Sequence, residues 1–136
     1  MKRLRLLILP LAALALEAMP FSAVLLFAEP GDDGAIEYIR RTTSYFSLTP
    51  FGYANFGPLL TALLSCLLLA LTVWLCVRPG TGIYKTVLTV NALAVITSLL
   101  PLFLGTAFYS LAGAVISAAL AAQLLWLLYN KRKGTP

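Results

Sequence analysis

Glu17 stands alone in the stretch "ALALEAMPFSAV": no other charged residue occurs between Arg5 and Glu29. A carboxyl group inside an apolar run costs at least ~2.5–3.5 kcal/mol on membrane-insertion scales, so it should face protein and find partners. Three chemistries fit it. It can lock helices together by hydrogen bonding, serve as a proton or cation site in a carrier, or pair with a basic residue of a partner protein. Pro20 adds a local acceptor, because its missing N–H leaves the Leu16 carbonyl free.

The partners nearest in depth are hydroxyls. Counting ~1.5 Å of rise per residue, Ser65, Thr97, Ser98 and Ser117 fall at about the level of Glu17 on three later apolar runs. Together they form a candidate intramembrane polar cluster. Hydroxyls in such helices also bond their own i−4 carbonyls, which is the plainer alternative for each one. Gly113, Ser117 and Ala121 make a small-xxx-small stripe that lets a neighbouring backbone approach. Asn91 and Gln123 each lie roughly 9–11 Å from the expected cytoplasmic end of their runs, on hairpin neighbours, and form a candidate interhelical amide pair.

Other chemistries lack their residues. The chain has no histidine, no nucleophile elbow, no phosphate loop and no spaced carboxylate pair, so no catalytic residue is assigned and no enzyme is expected. Cys66 and Cys76 are ten residues apart on one expected helix, about 15 Å, too far to bridge. No metal and no cofactor is expected, and "GDDGAIE" lacks the alternating acids of a calcium loop.

The elements that must position Glu17 follow from composition. At 136 residues, 60% hydrophobic and 11% charged, the chain carries more apolar surface than a water-soluble core of this size can hide. Lipid must cover the rest. Four runs are long enough to span, at about 6–28, 57–77, 84–104 and 107–129. The fold class is therefore all-α, a single transmembrane domain over 1–136 built as a four-helix antiparallel bundle, its last two spans a tight hairpin.

Charge placement gives orientation. Lys2, Arg3, Arg5, Arg78, Lys85, Lys131, Arg132 and Lys133 all flank apolar runs on one expected side, whereas Glu29, Asp32, Asp33 and Glu37 fall in the 29–56 loop. The positive-inside rule makes both termini cytoplasmic and the loop external, in the cell membrane. The basic residues do not form a nucleic-acid stripe, so the expected partners are the bilayer, a second copy or another membrane protein. The first run is too long for a signal peptide and has a poor cleavage site, so it is expected to stay as a span.

Within the loop, Ile36, Ile39, Thr43 and Phe46 recur on one helical face. They predict a short amphipathic helix over 35–46 lying on the outer leaflet. Tyr45, Phe46, Phe51, Tyr53 and Phe56 are candidate external contacts, as an aromatic belt or as a lid over the bundle. "LEAMPFSAVLLFA" followed by "YFSLTPFGYANFGP" resembles a set of small four-span bacterial membrane proteins with no assigned activity. That resemblance implies a topology and no chemistry. Small multidrug carriers also hold a glutamate in the first of four spans, but their short loops and later motifs are missing here. The expected function is non-enzymatic, a binding, scaffold or accessory role. The alternative is an oligomeric proton-coupled carrier or channel using Glu17.

Overall fold

The computed structural model describes residues 4–48 and 55–134. Phe51 and Tyr53 lie outside those residues. After a 3-10 turn at Leu4–Leu7 come α1 (Ile8–Glu17), β1 (Ala23–Pro30), β2 (Ile36–Thr43), α2 (Gly57–Val77), α3 (Thr81–Leu104) and α4 (Leu111–Arg132). Three helices, α2, α3 and α4, are long and apolar enough to cross a membrane. Only 33% of each apolar window is buried, so most of that surface needs an apolar surrounding.

Packing runs in a ring: α2 against α3, α3 against α4, α4 against α1, and α1 against α2. Small and branched residues fill the centre, among them Ala13, Ala62, Leu68, Val87, Ala94, Ile116, Leu120 and Leu127. Direction is fixed by polar contacts. Thr61 meets Thr97 across α2 and α3, and Ser117 meets the Ser98 carbonyl across α4 and α3. Both pairs run antiparallel.

Two expectations need correction. The first concerns the run 6–28, which is not one spanning helix. α1 stops at Glu17 after ten residues, and the chain turns through residues 18–22 into a strand. The reason is local. Pro20 disfavours helix at Met19 and cannot supply the next intrahelical donor. Helix α1 is therefore about 15 Å long, half the usual crossing. An all-α four-helix bundle gives way to three long helices, one short one and a two-stranded sheet.

The second concerns the external amphipathic helix over 35–46. It is absent; most of that segment is β2, paired antiparallel with β1 from Ala23 opposite Thr43 to Pro30 opposite Ile36. Ile36 is 68% exposed and only partly buried Ile39 turns from solvent, unlike the apolar helix face expected. The turn decides it. "PGDDGA" closes on a Gly31 N–H donating to the Ala35 carbonyl at 2.7 Å, with Gly34 at φ +75°, a conformation glycine adopts without strain. The β-branched and aromatic residues on both sides then suit a pleated ribbon. Arg41 lies over the Phe27 ring, 5.8 Å from its centre.

Candidate functional site

Buried polar residues gather where α1 ends. Glu17 is fully buried, and Ser65 of α2 donates to its Oε1 at 2.7 Å. Its Oε2 is also buried and has no hydrogen-bond partner among the described residues. Ser65 is the ninth residue of α2, so the pair lies about 12 Å below that helix's first turn.

The chain returns to this point after the hairpin. The Tyr45 N–H donates to the Glu17 carbonyl at 2.9 Å, and the Tyr45 ring is buried at 2% exposure. Burial raises the Tyr45 phenol above its ordinary range, and neighbouring Tyr109 and Glu17 act in the same direction. Gly113 makes room for it. A Cβ there would stand 3.0 Å from the Tyr45 hydroxyl oxygen and 3.2 Å from Ser110 Oγ.

The start of α4 supplies the opposite wall. Ser110 caps the helix, accepting from the Gly113 N–H at 2.8 Å, and donates to the Ser22 carbonyl beside β1. Ser22 in turn donates to the Leu16 carbonyl, the acceptor expected to be free beside Glu17. The Tyr109 hydroxyl sits 2.7 Å from Ser117 Oγ, which donates to the Ser98 carbonyl at 3.4 Å.

The residues singled out by depth thus separate. Glu17 joins Ser65. Ser117 reaches the backbone of Ser98, whose own hydroxyl bonds the Val95 carbonyl at 2.8 Å. Thr97 lies 3.0 Å from Thr61, which also donates to the Gly57 carbonyl at 2.8 Å. Asn91 and Gln123 are both fully buried, but the Asn91 amide bridges the backbone of α4 instead of the Gln123 side chain. With the amide oriented so that its nitrogen meets an acceptor and its oxygen a donor, it donates to the Leu120 carbonyl at 3.2 Å and accepts from the Leu124 N–H at 3.1 Å. Both amide atoms of Gln123 lack partners among the described residues.

Of the loop aromatics described, Tyr45 points inward while Phe46 and Phe56 are exposed at 39% and 54%. Sequence reasoning missed Tyr109, Ser110 and Ser22. Ser110 was findable, since a serine directly before "LAGAV" is an N-cap signal that moves the start of α4 past 107. Among the described residues no group of three or more His, Cys, Asp or Glu could hold a metal ion. No family model, curated protein or solved structure matches the chain.

Proposed function

We propose that the chain is a non-enzymatic multi-pass protein of the cell membrane, with both termini cytoplasmic, acting through intramembrane packing and its outer face. The hairpin forms that face and, with the exposed Phe46 and Phe56 of the loop, serves a binding, scaffold or accessory role. One observation carries the reading. Glu17 is enclosed and engaged by Ser65, at the junction where α1, α2 and the end of the hairpin segment meet. A carboxyl held this way works as a structural lock. The first passage then combines α1 with the buried residues Ala23, Val24 and Leu25 of β1, a non-helical stretch sheltered by protein as apolar surroundings require. The basic end of the bundle faces the cytoplasm.

A second reading has its own support. The unpartnered Oε2 of Glu17 is what a proton-coupled carrier or channel, acting as an oligomer, would use. Proton flux into vesicles reconstituted with wild type and with Glu17→Gln separates the two. Background flux in both supports the lock. Flux in wild type that vanishes in Glu17→Gln, while that variant keeps its helical content, overturns the lock and selects the carrier.

A further inference from the structure

At the end of the bundle far from Glu17, a cleft of about 330 Å³ opens between the first turn of α3 and the last turn of α4. Thr81, Tyr84, Lys85, Lys131 and Gly134 line it. The Tyr84 hydroxyl donates to the Leu127 carbonyl and holds the two helices together at its floor. Gly134, at φ +69°, turns the chain beyond α4 alongside the opening. The walls are mainly apolar, the stems of Lys85 and Lys131 among them.

Among the described residues no acidic side chain accompanies those two lysines. No Asp or Glu follows Glu37, and the earlier acids lie in the hairpin or at Glu17. Around the cleft stand further cations, Arg78, Arg132 and Lys133. Two of these lie over rings, Arg78 5.9 Å from the Trp74 centre and Lys133 4.7 Å from that of Tyr129. Indole and phenol rings beside cations at the ends of apolar helices mark the headgroup level of a bilayer. The cleft therefore combines apolar walls, lysines with no acidic side chain beside them among the described residues, and headgroup depth, the features of a site for an anionic amphiphile.

We propose that this cleft binds the phosphate of an anionic phospholipid. Lys85 and Lys131 flank the phosphate, the Thr81 hydroxyl donates to it, and the apolar wall takes the start of the acyl chains. The proposal rests on the membrane reading above. Free phosphate shares the headgroup's chemistry but has no use for the apolar wall.

Both tryptophans, Trp74 and Trp126, lie in the halves of α2 and α4 nearest this end, so their fluorescence reports lipid there. The full chain is reconstituted in phosphatidylcholine vesicles with brominated acyl chains, and in mixtures containing brominated phosphatidylglycerol. Quenching by brominated phosphatidylcholine checks insertion by itself; its absence overturns the membrane reading and this site with it. With insertion established, selective quenching by phosphatidylglycerol is expected, each lysine contributing roughly five-fold in affinity. Lys85→Gln with Lys131→Gln should abolish the selectivity, while Arg132→Gln with Lys133→Gln, which removes the same charge outside the lining, should lose distinctly less of it. No selectivity in wild type, or equal loss in both variants, overturns the site and leaves membrane insertion standing. Inorganic phosphate is then added against chloride at equal ionic strength. Unchanged selectivity supports the lipid; displacement by phosphate overturns the lipid in favour of a free anion.

Discussion

Ser65→Ala should destabilise the bundle more than Ser65→Ala combined with Glu17→Leu. Ser65 Oγ is the one described donor to the Glu17 carboxyl, at 2.7 Å, and both side chains are fully buried. Removing the serine hydroxyl leaves a buried carboxyl with no partner, a loss of about 1–3 kcal/mol. Replacing both members by apolar groups removes the unmet demand as well as the bond, and such paired replacements can be nearly neutral. Hydrogen bonds between membrane helices average ~0.6 kcal/mol and reach ~1.7 kcal/mol in double-mutant cycles. The enclosed geometry places this pair in the upper half of that range. Glu17→Gln keeps an oxygen for Ser65 and should cost under about 1 kcal/mol. The assay is reversible unfolding in mixed micelles, followed by helical circular dichroism, for wild type, each single variant and the double. Additive effects, within about 0.3–0.5 kcal/mol, would refute the coupling and with it the lock.

Gly57→Ala should cost about 1–3 kcal/mol by overpacking. Its Cβ would stand 3.0 Å from Pro101 Cδ, 3.1 Å from Leu100 Cβ and 3.2 Å from the Thr97 carbonyl oxygen, none of them a flexible tip. Gly82→Ala, with nothing within 4 Å, should stay within about 0.5 kcal/mol of wild type in the same thermal unfolding series. Asn91→Leu should lower stability by roughly 1–2 kcal/mol, because its amide ties α3 to the α4 backbone. Gln123→Leu should be neutral or stabilising, since both amide atoms are buried without partners among the described residues. Equal losses in those two variants, read by the same unfolding, would contradict the contrast.

The three long helices were legible because each is a continuous apolar run bounded by Pro, Gly or cations. The signal there is length, which survives any error in face or register. The segment 23–43 was misread because two signals competed. Ile36, Ile39, Thr43 and Phe46 match a helical period, but an apolar run before "PGDDG" and a β-branched one after it match a hairpin equally well. A short segment cannot average that ambiguity away. The turn glycines carried the deciding information, since Gly34 needs a positive φ and a helix cap at Asp33 does not. In the site, burial of Glu17 followed from the cost of exposing a carboxyl to an apolar surrounding. Its choice of Ser65 over the other hydroxyls did not, because depth alone ignores which face each hydroxyl takes. Tyr45 is grouped with the other loop aromatics as an external contact, because richness in rings does not say which ring turns inward; it is buried at 2% exposure.

A helix that stops inside an apolar bundle creates a demand, and that demand ties the hairpin to Glu17. The last carbonyls of α1 have no intrahelical donor and cannot turn to water. The Ala18 N–H serves Leu14 at 3.1 Å, and the Met19 N–H serves Leu16 at 3.1 Å, joined there by the Ser22 hydroxyl. Glu17 itself is served from outside the helix, by the Tyr45 N–H two residues past β2. Ser22, just before β1, is held by Ser110 at the start of α4. Both ends of the hairpin therefore close the open end of α1, and its exposed strand edge and turn project from a base that is part of the core. Lifting that base would break the Tyr45 bond and leave the Glu17 carbonyl unmet beside an already half-satisfied carboxyl. The isolated acid and the ribbon are thus joined through one set of hydrogen bonds.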